Sequence, residues 1–323
     1  MENNKRIRYV EIARDIYAAI TPVESLDITD AGLMNNFSNS AYINRGEGLI
    51  CDTFFDLPHA RELNEFCIKK SGHTPKYVIN THGHWDHFWG NQIFEKSEII
   101  GHKDMLKDCK DDKKKVRIFK LLYGSVFVQN LISGIMTASF KKNLSDGKKA
   151  KFIVRVGDND FNLSGLVPKN PDTLIEDNMQ FNLGGTDVHL IHLGSIHSGS
   201  DMIVWIPSEK ILFAGDIFAD CSLPMSIENG KKWIQAMDYI LEELKPEIIV
   251  PGHGEIYDFK RAENQREYFK SLIGQVEHYY TPTIKNEELI KKIDVEKYID
   301  CRPGLLWILA VNNMANQLRK DKI

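Results

Sequence analysis

His82, Gly83, His84, Trp85, Asp86 and His87 place four potential metal ligands within six consecutive residues. Imidazole and carboxylate donors at this density suit a borderline-soft divalent cation such as zinc. The segment follows the apolar run Tyr77, Val78, Ile79 and precedes a helix-like stretch at 88–94. If the chain stays extended past the strand end, His82 and His84 point the same way, while Asp86 and His87 turn into a neighbouring position. That division suggests two metals rather than one.

A site of this kind draws further ligands from distant segments, each delivered at the end of a rigid strand. His197 lies in a turn after the strand-like run at 188–193; Asp216 ends the apolar run at 211–215; His253 follows the run at 247–252. Gly215 and Gly252 immediately precede the last two ligands, as a close backbone approach would favour. Asp52 ends a further short strand at 48–51. Short apolar strands that each end in an acidic or imidazole side chain are hard to explain by packing alone.

On these residues the chain resembles the metallo-β-lactamase superfamily of dinuclear metal hydrolases, whose signature is an HxHxDH segment followed in order by a single His, a single Asp and a single His, with an Asp upstream after a strand. The matching positions are Asp52, His82, His84, Asp86, His87, His197, Asp216 and His253, and the resemblance covers roughly 10–265. It implies that His82, His84 and His197 hold the first metal, that Asp86, His87 and His253 hold the second, and that Asp216 bridges them. Asp52 would orient a ligand by hydrogen bonding, and Asp86 would double as a proton shuttle. The implied fold class is α/β, a four-layer αβ/βα sandwich with the metals at one edge of the sheets.

The chemistry expected of such a ligand set is hydrolysis. Two divalent cations sharing a water bring its pKa toward neutrality, so a metal-bridging hydroxide is available without a dedicated protein base. Zinc is the expected metal, with iron or manganese as alternatives that His and Asp donors do not exclude. Redox-iron members of the family replace the second His of HxHxDH by Glu, and His84 is kept here. The β-lactamases carry Cys or Ser where Asp216 stands. The wording around the ligands is similar to a cyclase-like, glyoxalase II-like branch. The expected substrate is a small, partly apolar carboxylic ester, thioester, lactone or lactam; a phosphodiesterase or a non-catalytic metal-binding protein is the alternative.

The chain has 323 residues, 42% hydrophobic and 27% charged, which is ample for a large core. A net charge of −4 offers no electrostatic footprint for nucleic acid. The N-terminal residues lack the apolar region of a signal peptide, so the cytoplasm is the expected compartment. Five scattered cysteines without CxxC spacing argue against a disulfide framework. The expected partner is a small-molecule substrate, with neither nucleic acid nor membrane.

Coarse patterning gives a hairpin at 40–52 and helices at 60–70 and 231–244, the latter stopped by Pro246. A hydrolase domain is expected over 1–266, with a helical insertion at about 105–172 and a helical extension at 267–323. The insertion opens with a charge run at 107–115, read as a solvated helix or loop. It continues with the uncharged run 121–140, read as a lid over the active-site cleft. Candidate substrate contacts are Trp85 and Trp89 beside the ligands, and Phe127, Leu131 and Met136 in the lid. The extension is expected to cap the sandwich, with a homodimer interface as the alternative. His59, His73, His102 and His278 have no ligand context and are expected on the surface; His189 and His192 are expected to be structural. Cys221 is expected to be a buried free thiol.

Overall fold

Alternation with a period of two organises the whole molecule. In β2 (Ile16–Ile20), Ile16, Ala18 and Ile20 face one core while Tyr17 and Ala19 face another. The same division holds in β4 (Leu49–Cys51), where Leu49 and Cys51 point one way and Ile50 the other. Successive side chains of a strand leave opposite faces of its sheet, so a strand apolar at every position is buried on both sides. The computed structural model describes residues 7–21, 38–123, 163–219, 229–294 and 305–320.

The first sheet runs β1 (Arg8–Ala13), β2, β3 (Ser40–Ile43), β4, β5 (Tyr77–Ile79), β6 (Glu98–His102) and β7 (Thr173–Ile175) in that order. β1 to β4 are antiparallel neighbours, and β4 to β7 pair in parallel. The second sheet runs β12 (Ile248–Val250), β11 (Ile211–Phe213), β10 (Asp201–Ile206), β9 (Thr186–Gly194) and β8 (Met179–Leu183). All its pairs are antiparallel except β11 with β12.

The sheets pack face to face. Ile16, Ile43, Leu49, Ile79 and Ile100 of the first meet Val188, Leu190, Val204, Phe213 and Val250 of the second in one continuous core. Outside the first sheet, α1 (Leu57–Ser71) buries Ala60, Leu63 and Cys67 against Tyr17, Tyr42 and Val78. Asp56 caps α1 by accepting from His59 N at 3.0 Å, and Gly72 ends it at φ 85°. Outside the second sheet lie α5 (Gly230–Tyr239), α6 (Phe259–Tyr279), α7 (Asn286–Ile290) and α8 (Leu305–Lys320). Trp233, Met237, Phe269, Leu272, Leu289, Val311 and Met314 pack there on Ile203, Trp205, Leu212 and Ile249. The result is the four-layer α/β sandwich that the resemblance implies.

α6 runs unbroken through position 266, and the described residues beyond it share one core with the second sheet. The helix at 231–244 ends more gradually than its proline suggests: after α5 the chain widens into a π turn at Ile240–Leu244, and Lys245 closes it at φ 50°. α2 (Trp85–Phe88) follows the first ligands and passes into a 3-10 turn at Trp89–Phe94. The insertion begins with α3 (Met105–Asp108) and α4 (Asp112–Tyr123).

Two of the four histidines expected on the surface are instead buried. His59 lies beneath Phe54 and Phe55, with Nδ1 2.7 Å from Asp56 Oδ1. His102 stacks on His192 across the two sheets, with ring centroids 3.6 Å apart. Asp56 partners the His59 ring, while His102 accepts from Asp104 N at 3.2 Å on Nδ1 and has Glu176 O 3.0 Å from Nε2, which removes the cost of burying these polar groups. Among the described residues, no helix is long and apolar enough to cross a membrane.

Candidate metal centre

β4, β5, β11 and β12 point the same way in their parallel pairs, so their C-terminal ends gather at one edge of the sandwich. Asp52 follows β4, His82 and His84 follow β5, Asp216 follows β11 and His253 follows β12. His197 enters from the loop between β9 and β10. The chain therefore brings together every residue singled out as a ligand. They form two groups: His82, His84, His197 and Asp216 in one, and Asp86, His87 and His253 in the other.

Asp216 stands between the groups. Its Oδ2 lies 3.1 Å from His197 Nε2 and 3.8 Å from His82 Nε2. Its Oδ1 lies 3.2 Å from His87 Nε2 and 3.4 Å from His253 Nε2. His253 Nε2 is also 3.2 Å from Asp86 Oδ2, and His84 Nδ1 lies 2.7 Å from His197 Nε2.

Hydrogen bonds behind the ligands fix which ring nitrogen faces inward. Asp52 Oδ2 accepts from His87 Nδ1 at 2.9 Å and from Thr81 Oγ1 at 2.7 Å; Oδ1 accepts from Thr81 N at 2.8 Å. Because Thr81 gives its one hydroxyl proton to Asp52, it accepts from His82 Nδ1 at 3.0 Å. Both rings thus turn Nε2 toward the centre. Asp52 does this from a left-handed backbone conformation, φ 59°, that a non-glycine residue adopts at a cost.

The His197 loop is built around a residue that sequence reasoning passed over. The Asp201 carboxylate accepts from the backbone N–H groups of Ile196 and His197, each at 2.9 Å, and from Ser198 N at 3.0 Å. A carboxylate four residues after a lone histidine in a Ser/Gly turn is the signal that could have found it.

Charge in the metal-free protein is unevenly distributed. Burial, then the neighbouring imidazoles, hold His82 well below the ordinary histidine range, and burial takes His84 down to about 3. Against the same cost of burial, Asp216, Asp86 and Asp52 hold His87 well above that range. Asp216 and Asp86 raise His253 to about 10. Burial works against ionisation of Asp86 too, yet His87 and His253 bring it to about 2.

A cation fits this donor set. His82 Nε2 is buried without a hydrogen bond. Asp216 Oδ1 makes none either, although two imidazole nitrogens stand close by. Buried polar atoms left unsatisfied are rare in native proteins and mark a place for a missing partner. Three imidazoles with one carboxylate, and two imidazoles with one carboxylate, are both zinc-type sets.

The aromatic residues near the ligands divide. Trp89 is fully buried and gives its indole N–H to Asp112 Oδ2 at 3.1 Å, so it packs rather than offering a surface. Trp85 is half-buried, with Phe119 of α4 at 5.0 Å and Phe55 at 6.2 Å between ring centroids. Phe127, Leu131, Met136 and Cys221 lie outside the described residues.

A family model described as the metallo-beta-lactamase superfamily matches residues 34–253, and the chain belongs to that superfamily. Its members are mostly hydrolases, and this chain carries the His/Asp groups that can hold a metal. The metallo-beta-lactamase type 2 of Bacteroides fragilis is 24% identical over 108 residues, 32% of this chain and 43% of that protein. The match thus spans less than half of that relative's length. Among solved structures, a metallo-beta-lactamase from Pontibacter korlensis superposes with a TM-score of 0.54 at 14% identity, covering 82% of this chain and 99% of the other. A stereoselective inverting sec-alkylsulfatase from Pseudomonas sp. superposes with a TM-score of 0.63 at 15% identity, covering 96% of this chain and 50% of the other. At these identities the two structures speak for the fold.

Proposed function

We propose that the protein is a dinuclear metal hydrolase acting on a small, partly apolar carboxylic ester, thioester, lactone or lactam. The observation that carries the reading is Asp216, whose two oxygens each face a different histidine group at 3.1 to 3.4 Å. His82, His84 and His197 would hold one cation, Asp86, His87 and His253 the other, and Asp216 both; zinc suits the donors best. When bound, the cations supply an activated water as nucleophile and an electrophilic pull on the oxygen of the scissile group.

The protein's own residues supply the rest. Asp52 and Thr81 hold the rings of His87 and His82 in the tautomer that presents Nε2. Asp216 and Asp86 set negative charge among the imidazoles. Asp86, which keeps a partly exposed carboxylate beside His253, is placed to carry a proton between the centre and solvent. The exposed part of Trp85, with Phe119 beside it, supports an apolar portion in the substrate. No serine or cysteine nucleophile is required.

A second reading is hydrolysis of an alkyl sulfate ester. It draws on the alkylsulfatase superposition, which takes in 96% of this chain. Elemental analysis of the purified protein, followed by a panel of ester, thioester, lactone, β-lactam, phosphodiester and alkyl sulfate substrates, tests both. The first reading expects about two metals per chain and turnover confined to the carbonyl substrates. Turnover of alkyl sulfate alone would replace it by the second, and metal-free protein that turns over substrate would end both.

A further inference from the structure

The charge run at 107–115 holds a carboxylate that does not face solvent alone. Asp108 Oδ2 accepts from Gly199 N at 2.9 Å, reaching from the start of the insertion to the loop that carries His197. Two glycines make room for it. A Cβ at Gly199 would lie 3.0 Å from Asp108 Oδ2. One at Gly83, between His82 and His84, would lie 2.8 Å from Asp108 Cβ and 2.8 Å from Met105 O. At Gly83 a Cβ has no room while Asp108 occupies its place, and at Gly199 it would press the Asp108 carboxylate back by a few tenths of an ångström.

From Asp108 the contacts continue into the insertion. Lys115 Nζ donates to Asp108 O at 2.8 Å and pairs with Asp112 Oδ1 at 2.7 Å. Asp112 is buried and holds the Trp89 indole, just beyond the HxHxDH segment. The start of the insertion is therefore tied by Asp108 to the loop that carries His197, and by Asp112 to the chain just after His87.

We propose that Asp108 is a positioning residue: wedged between Gly83 and Gly199, it locks the His82/His84 segment to the His197 loop. Asp108 thereby sets the metal affinity of that group and not of the other. The proposal rests on the metal reading above. Residues that orient ligands without binding the metal are worth about 10–100-fold in affinity. The loss should fall on one group alone, because Asp86, His87 and His253 are oriented by Asp52 and by the chain around Ser38 instead.

Zinc titration by calorimetry in two backgrounds separates the groups: His253→Ala leaves the first intact, and His84→Ala leaves the second. Adding Asp108→Ala is expected to weaken zinc about 10–100-fold in the His253→Ala chain and by less than about twofold in the His84→Ala chain. Asp108→Asn keeps an acceptor of the same shape and should fall between the parent and the alanine variant; it carries the comparison if the alanine variant does not fold. Asp111→Ala, at an exposed position of the same run, should change neither affinity. Equal losses in both backgrounds, or none in either, overturn the proposal. A full-length chain that takes up no zinc at all overturns the metal reading, and this proposal with it.

Discussion

A Cβ built at Gly252 falls 2.0 Å from Asp216 Oδ1, so the backbone before one ligand occupies the space a side chain would take from another. Even a methyl group at that position must displace the carboxylate that faces both histidine groups. The same methyl falls 2.8 Å from Gly215 C and 2.9 Å from Gly215 O, so Gly252→Ala is expected to lower stability and to lose metal from both groups at once. Metal content after dialysis, measured beside far-UV circular dichroism, checks this; a variant that keeps about two metals per chain would show that Asp216 has room to move.

Asp216→Ala tests the shared carboxylate directly. If each oxygen serves one cation, the variant should lose about 10–100-fold in affinity at both groups and most of its hydrolytic activity. His253→Ala should instead weaken one group and spare the other. Two-step titrations in which Asp216→Ala affects a single step would refute the bridging role.

The metal-free protein is expected to release more than one proton per chain on binding zinc at pH 7. His87 and His253 are held as imidazoliums, the latter up to about 10 from an ordinary value of 6.5, and a ligand must be neutral to bind. The sign follows for stability. A raised folded-state value stabilises the metal-free protein fully below about pH 6.5, and that contribution is lost as pH rises through about 10. Zinc affinity should run the other way, strengthening from pH 6 to 9. Calorimetry in buffers of different protonation enthalpy counts the protons, and a count of zero would contradict the charge assignment.

Phe119→Ala and Trp85→Ala probe the apolar wall. Each removes a large side chain worth about 1.5–3 kcal/mol when buried, so KM for a substrate with an apolar tail should rise roughly tenfold or more. Metal content should stay unchanged. A uniform fall in kcat with KM untouched would place these residues in packing rather than recognition.

No covalent intermediate is expected on a thiol. Cys51, Cys67 and Cys109 are buried, and burial pushes Cys109 up to about 12, away from the reactive thiolate form. Cys221→Ser should keep most activity. Mass spectrometry of a single turnover that finds a substrate-derived adduct on any cysteine would overturn the mechanism.

The convergence of the candidate ligands was legible because the chemistry leaves few residue choices: a short apolar strand ending in His or Asp repeats along the chain, and the fold gathers these ends at one edge. The hairpin at 40–52 announced itself by the turn residues Arg45, Gly46 and Glu47 between two strand-like runs, and α5 by helical spacing. Asp108, Asp112 and Asp201 did not. In a run with Lys107, Lys110 and Lys113 nothing distinguishes a carboxylate that bonds a distant loop from one in water, because the partner, Gly199 N, is a backbone group with no signature of its own. His102 was misjudged for a similar reason: its partner His192 comes from the other sheet, and pairing across sheets leaves no local pattern. The boundary drawn at 266 follows the end of the resemblance at about 265, whereas α6 crosses that point while facing one core.

Each group of ligands draws on both sheets' halves of the chain: His82 and His84 meet His197 and Asp216, while Asp86 and His87 meet His253. An ion bound at either place is a cross-link between segments more than a hundred residues apart, and a chelator would cut it. During synthesis the early histidines emerge with no partners. The first group cannot close until the ribosome has made Asp216, nor the second until it has made His253, so metal held at both places in the cell would register that both sheets have been made.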